Sequence, residues 1–251
     1  MSKQALIDYT LHLADNTLVL GQRNSEWTGH GPILEQDIAL SNIALDLIGQ
    51  ARMLYQYAAQ LKGNGATEDS LAYLRDGWDF KNCLLVELDK GDWAKTILRQ
   101  FFFSTYQWFL YRQLQNSKDT QLAAIAAKAL KEVAYHLRWS GEWVVRLGDG
   151  TEESHHRIAT ALTGLWPFTG ELTTVAAYEQ ALVAEGIAAN PASFKLEWLD
   201  KINEVLQEAT LPLPESGWMQ TGGKEGKHTE HLGYILAEMQ YLQRTYPGCE
   251  W

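Results

Sequence analysis

At 251 residues, 46% of them apolar, the chain is long enough for one large helical domain with a substantial core. A formal net charge of −10 disfavours a nucleic-acid backbone or an anionic membrane as partner. Cys83 and Cys249 are the only cysteines, which argues against a disulfide framework or a thiolate zinc site. The first residues, Met-Ser-Lys-Gln-Ala-Leu-Ile-Asp-Tyr-Thr, carry no apolar core of a signal peptide. Apolar stretches such as 101–111 are too short and interrupted to span a bilayer. A reduced, cytoplasmic chain is expected.

Helical periodicity dominates from the start. Residues 4–27 place Leu6, Tyr9, Leu13 and Leu20 at helical spacing. Gly29-His30-Gly31-Pro32 breaks that helix, and Pro32 suits the start of the next, over 33–61. Its middle, 38–48, is apolar on nearly every side and is expected to be central; Asp46 lies within it. Thr67-Glu68-Asp69-Ser70 starts a short helix to Arg75. Residues 76–91 read as irregular, with a helical turn among them.

Asp92 suits an N-cap for a helix over 93–115 that carries Phe101, Phe102, Phe103, Tyr106, Trp108, Phe109 and Tyr111. After a tight turn at Asn116-Ser117-Lys118, a long helix runs from Asp119 to Leu147, with Ala126, Ala129, Val133, His136 and Ser140 on one face. Thr151 caps a helix to Leu165, Thr173/Thr174 cap another to Ala184, and Asn190-Pro191 starts a third to Ala209. Leu211-Pro212-Leu213-Pro214 is an extended linker. After the glycine-rich 222–226, Thr229 caps a last helix from Glu230 to Tyr246. The pattern predicts an all-α fold in a single domain, a four-helix core over about 4–148 with accessory helices over about 151–251.

Two hairpins of this kind invite a test for metal. Counting from the turns places Asp15, Asp46, Glu132 and His136 in one layer, opposed by Phe102 or Phe103. A di-iron carboxylate bundle needs about six ligands, including Glu-x-x-His on two helices. Here Gly49 and Tyr135 stand at the two His positions, and Phe102/Phe103 stands where a carboxylate is needed. Asp15, Asp46, Glu132 and His136 are therefore read as a buried polar cluster, with no metal, cofactor or catalytic residue assigned. His155-His156 reads as solvated. His228-x-x-His231 reads as helix-terminus packing or an interface, since two imidazoles are short of a ligand set. The glycine-rich 222–226 follows no strand and lacks phosphate-loop spacing.

A specific resemblance rests on several stretches. They are Asp15-Asn16-x-Leu18-Val19-Leu20, Gln22-Arg23, Glu26-Trp27-x-Gly29-His30, Leu45-Asp46-Leu47-x-Gly49-Gln50-Ala51-Arg52, and Lys131-Glu132-x-x-Tyr135-His136-Leu137-Arg138. The most specific is the tail, Thr221-Gly222-Gly223-Lys224-x-Gly226-x-His228-Thr229-Glu230-His231-Leu232, with Gln240, Arg244, Pro247-Gly248 and Trp251. Together they resemble the PaaC-type subunits of bacterial phenylacetyl-CoA epoxidase, also called phenylacetate-CoA oxygenase. The resemblance implies a ferritin-like structural subunit without a working di-iron centre. It implies pairing with a homologous di-iron catalytic subunit, in a cytoplasmic complex with a small bridging subunit and a reductase. That complex epoxidises an aromatic ring in phenylacetate catabolism, as a monooxygenase using NADPH, FAD and iron–sulfur in other components. The alternative is an autonomous di-metal carboxylate oxidase or metal-binding bundle. Arg23, Trp27, Arg52 and Tyr55 are expected at the partner interface, with His228 and His231 second, and the isolated chain is expected to self-associate through the same face.

Overall fold

The computed structural model describes residues 2–215 and 217–249. Among them there are eleven α-helices, several short 3-10 turns and no strand, so the chain is all-α as expected. Contacts group the chain into two compact units. One comprises Met1–Asp89 with Gly222–Trp251, and the other Lys90–Thr221. Each contains one of the two long helical hairpins that a ferritin-like chain requires. No described helix is long and apolar enough to cross a membrane. Trp251 of the tail motif lies outside the described residues.

In the first unit, α1 (Lys3–Ser25) and α2 (Leu34–Lys62) form the hairpin. Ser2 caps α1 through its hydroxyl. The helix is buried on nearly all sides, including polar His12, Asp15, Asn16, Arg23 and Asn24. α2 is one-sided, and this corrects the expectation that its middle is central. Its buried face runs from Leu40 through Ile43, Leu47, Ala51 and Leu54 to Ala58. Ile38 and Leu45, by contrast, are 52% and 66% exposed. The reason is that α1 and α3 (Glu68–Tyr73) cover only one side of α2 within this unit. The stretch read as irregular holds a 3-10 turn at Gly77–Asp79 and the single-turn α4 (Leu84–Glu87).

In the second unit, Asp92 and Asp119 cap α5 (Trp93–Leu114) and α6 (Thr120–Gly148), each carboxylate accepting backbone N–H bonds of the first turn. α5 is the core helix of its unit, with Phe101, Phe102, Phe103, Tyr106 and Tyr111 all essentially without exposure. Burying each such ring contributes about 1.5–3 kcal/mol. α6 is amphipathic, and the face expected from spacing is the buried one: Ala126, Ala129, Val133, His136 and Ser140.

Around this hairpin lie α7 (Glu152–Leu165), α8 (Ala177–Glu185) and α9 (Lys195–Glu208). The start of α8 departs from the expected Thr173/Thr174 cap. Both hydroxyls instead bond back to Gly170 O, closing a 3-10 turn, while Glu179 reaches back to Ala176 N at 2.6 Å. The third expected helix opens as a 3-10 turn at Pro191–Phe194 before α9 begins. The last expected helix, in the first unit, is broken at Gln240 into α10 (Glu230–Met239) and α11 (Tyr241–Thr245).

Close packing sets Gly148, Gly150 and Gly170 in the second unit, Gly148 most tightly. A Cβ on Gly148, the last residue of α6, would overlap the carbonyl oxygen of Ala209. Gly148→Ala is expected to destabilise the protein by about 1–3 kcal/mol in chemical denaturation. Gly164→Ala is the control, since a Cβ on Gly164 in α7 meets nothing within 4 Å. There the methyl is expected to leave stability unchanged or raise it by up to about 1 kcal/mol.

Candidate functional site

The densest chemistry lies in the first unit, around polar residues that α1 carries into its core. Asp15 is fully buried, and no layer of carboxylates satisfies it. Its carboxylate accepts from Tyr55 Oη at 2.5 Å, from the Lys81 backbone N–H at 2.8 Å, and from both terminal nitrogens of Arg75. The Arg75 guanidinium also donates to Leu71 O and Asp79 O, and lies over the Phe80 ring at 4.2 Å from its centroid. A buried charge demands this degree of pairing and hydrogen bonding. Burial, with Asp15 beside it, pushes the Tyr55 hydroxyl well above its ordinary range, so it stays a donor.

One turn before Asp15, His12 donates through Nδ1 to Lys81 O at 2.7 Å. Asn16 bridges its own helix to the following segment, donating to His12 O and accepting from Cys83 N at 2.8 Å. Burial first, then Lys224 and Lys81, holds the His12 imidazole well below its ordinary value.

Glu87, also without exposure, is a second buried carboxylate. It accepts from Asn82 Nδ2 at 2.8 Å, His228 Nδ1 at 2.7 Å, Thr229 N at 2.6 Å and Thr229 Oγ1 at 2.9 Å. His228 Nε2 faces Phe80 O at 2.9 Å. Both ring nitrogens thus face acceptors, and only the imidazolium satisfies both. Burial opposes that charge, but Glu87 and the Phe80 carbonyl outweigh it, and the His228 value is raised. Arg23 completes the seam, donating to Glu87 O and His231 O. Farther along the tail, Gln240 donates to Ala72 O and Arg75 O, and Arg244 to Arg75 O and Asp76. The tail motif is therefore a clasp that closes the first unit.

The expected site residues distribute differently from their reading in sequence. Asp15 and His136 are buried, whereas Asp46 and Glu132 are only half-buried. Gly49 is exposed, with open space where a side chain would stand, and Tyr135 is 39% exposed against His136 and Arg138. Phe102 is taken up by Trp166 and Trp198, with Trp198 Nε1 donating to its carbonyl, and Phe103 packs on Tyr106. Equal distance from a turn matches height along a hairpin but not the face around each helix, and Asp46 and Glu132 stand at the half-buried edges of their helices.

Three expected interface residues are turned inward: Arg23 by the backbone carbonyls of Glu87 and His231, Tyr55 by the Asp15 carboxylate, and His228 by the Glu87 carboxylate. Trp27 and His231 are half-buried, and Arg52 is exposed beside Glu68. His155, read as solvated, bonds Gly148 O at 2.7 Å. His12, Arg75, Asn82 and Glu87 carry the network without having been expected. Asn82 and Glu87 partner each other five residues apart, but the partners that tie His12, Arg75 and Glu87 to other segments, Lys81, Asp15 and His228, lie 60 or more residues away, which leaves no local signal. Among the described residues no group of three or more His, Cys, Asp or Glu is placed to hold a metal ion. The donor set does not fit a di-iron centre, because the Arg75 cation already saturates the Asp15 carboxylate.

Two outcomes are expected. Arg75→Ala leaves Asp15 buried without its cation and should cost about 3–5 kcal/mol, read by denaturant unfolding. For His228, a folded-state value above the unfolded one means the contribution is complete below the unfolded value, about pH 6.5, and is lost as pH rises through the folded value. The stability difference between wild type and His228→Gln should therefore be widest below about pH 6.5 and shrink above it. Taking the difference removes His12, whose lowered value acts with the opposite sign.

Comparison with known proteins agrees with these motifs. A family model described as phenylacetic acid catabolic protein matches residues 1–251. The chain is 51% identical over 246 residues to a component of the 1,2-phenylacetyl-CoA epoxidase of Escherichia coli (strain K12), covering 98% of this chain and 99% of that protein. On a family match across every residue and such identity over nearly the whole length, the chain belongs to the phenylacetic acid catabolic protein family.

Proposed function

We propose that this chain is the non-catalytic structural subunit of a multicomponent phenylacetyl-CoA epoxidase, supporting a homologous di-iron catalytic subunit in phenylacetate breakdown in the cytoplasm. One observation carries the non-catalytic part. Asp15, a carboxylate at a position suited to a metal ligand, is committed to Arg75, Tyr55 and the Lys81 N–H. A guanidinium cannot be displaced from such a buried carboxylate without leaving an uncompensated charge. Di-iron, FAD, iron–sulfur and NADPH chemistry are then assigned to other components, with a bridging subunit and a reductase among them.

The partner part is supported by α2. Leu34, Ile38, Leu45 and Arg52 recur at helical spacing on its uncovered face, and the three apolar residues are 71%, 52% and 66% exposed. Gly49 lies on the same face and adds no side chain to it. An apolar stripe of this length in water is what a stable contact with another protein covers. A permanent contact of this kind should bury about 2,000 Å² or more in total. With Arg23, Tyr55 and His228 turned inward, the proposed face is this stripe, with Trp27 at the end of the hairpin.

The test is size-exclusion chromatography with the homologous catalytic subunit, with metal analysis of each. Co-elution at micromolar concentration is expected, with substoichiometric iron on this chain alone. Leu45→Glu should weaken the pairing at least about tenfold, in the range of an interface hot spot, while helicity is retained. Separate elution, together with full epoxidation by the partner when this chain is omitted, overturns the scaffold role. About two irons per chain overturns the non-catalytic assignment and favours the autonomous di-metal bundle.

A further inference from the structure

The turn that joins α2 to α3 carries a chemistry that none of the preceding roles uses. Asn64 is followed by Gly65, and none of the other seven asparagines precedes a glycine. Gly63, Asn64 and Gly65 leave the C-terminus of α2 with φ of +73°, +53° and +75°. The Ala66 N–H donates to Gly63 O at 3.1 Å, so Asn64 and Gly65 are the central pair of a tight turn, both left-handed. Both are exposed, and a Cβ on Gly63 or Gly65 would meet nothing within 4 Å. The turn therefore stands clear of neighbouring atoms.

An asparagine side chain is attacked by the next backbone nitrogen when three conditions hold. The next residue must not crowd the approach with a Cβ, its N–H must be free of a hydrogen bond, and the side-chain amide must be free to rotate onto it. Gly65 meets the first. Among the described residues its N–H donates to no acceptor, and the Asn64 side chain makes no hydrogen bond. The other asparagines each fail. Asn16, Asn24 and Asn82 are buried. Asn42 and Asn203 lie inside α2 and α9, where the following N–H belongs to the helical ladder. Asn116 donates its side-chain amide to Arg112 O, and the Ser117 N–H after it donates to Leu114 O. Asn190 precedes Pro191, which has no N–H.

We propose that Asn64 is a site of intramolecular deamidation in the folded protein. The Gly65 nitrogen loses its proton to solvent base and bonds to Asn64 Cγ, while the Cγ–Nδ2 bond breaks and the side-chain nitrogen leaves as ammonia. Water then adds to either carbonyl of the five-membered imide, giving aspartate or isoaspartate. One water is consumed and one ammonia released, with no change in oxidation state. Because the two groups sit on adjacent residues, ring closure is unimolecular. Either product puts a carboxylate beside the C-terminus of α2, where the helix dipole disfavours it. Isoaspartate also adds a methylene to the main chain between α2 and α3, and it presents an exposed carboxylate of the kind that isoaspartyl O-methyltransferases esterify.

The experiment ages the full, folded chain in mildly alkaline buffer. Peptide masses follow amide-to-acid conversion, and an isoaspartyl methyltransferase with S-adenosylmethionine labels the isoaspartate formed. Conversion at Asn64 is expected to be at least about tenfold faster than at any other asparagine, because it alone has the reacting groups free to meet. It should rise with pH, as loss of the amide proton requires, with the methyl label confined to the peptide that holds residue 64. Asn64→Gln, which can close only a six-membered ring, should cut the label at least about tenfold while circular dichroism stays unchanged. Three results would each overturn the proposal: faster conversion at another asparagine, an undiminished label in Asn64→Gln, or conversion at Asn64 about tenfold or more slower in the folded chain than in the urea-unfolded chain.

Discussion

Two carboxylates that cannot reach water organise the first unit. Asp15 comes from α1 and Glu87 from α4, and both are fully buried. A helix buried on nearly every side normally carries apolar residues all round. α1 instead brings His12, Asp15, Asn16 and Arg23 into the core, where α2 supplies Tyr55 to Asp15. Further partners come from residues 71–89 and from the tail after Gly222. The discontinuous make-up of this unit follows directly. Unless segments far apart in sequence meet, buried charges stay unpaired, and each such group costs more than an ordinary core contact contributes.

The second unit solves its packing by other means. Its hairpin is held by aromatic volume, with Phe102 against Trp166 and Trp198, Tyr106 against Phe194, and Trp93 edge-on to Trp139 and Trp143. Edge-to-face and tilted pairs of this sort add about 0.5–1.5 kcal/mol each beyond their area. Some polar residues in this core bond locally, as Thr105 does to Phe101 O and Ser140 to His136 O. The outer side of α6 forms a groove with α9, lined among others by Phe101 and Trp108.

These two solutions bear on what a ferritin-like chain can do. A metal-binding bundle spends its buried carboxylates on cations it can exchange. Here the cation is a guanidinium anchored on its own backbone, donating to Leu71 O and Asp79 O as well as to Asp15. Asp15 is thereby held in a fixed network, while Leu34, Ile38 and Leu45 on α2 stay exposed. The tail clasp has the same character. Glu87 accepts four hydrogen bonds, three of them from His228 and Thr229, so the glycine-rich stretch before them serves the approach of the chain and not a phosphate.

The sequence by itself determined the helices, their caps at Asp92, Asp119, Thr67 and Thr151, and the inward face of α6, because these depend on residues three or four apart. It also carried the family, since the motifs are strings of adjacent residues. It did not determine which side of α2 stays uncovered, because Ile38 and Leu45 are as apolar as the buried Leu47. That α8 starts at Ala177 was equally illegible, since Thr173 and Thr174 can close a 3-10 turn as readily as cap a helix. Above all, only the tertiary structure decided that Asp15 answers to Arg75 and Glu87 to His228. Those pairs lie 60 and 141 residues apart, and the free energy that joins them is the desolvation of a buried charge, which has no period along the chain.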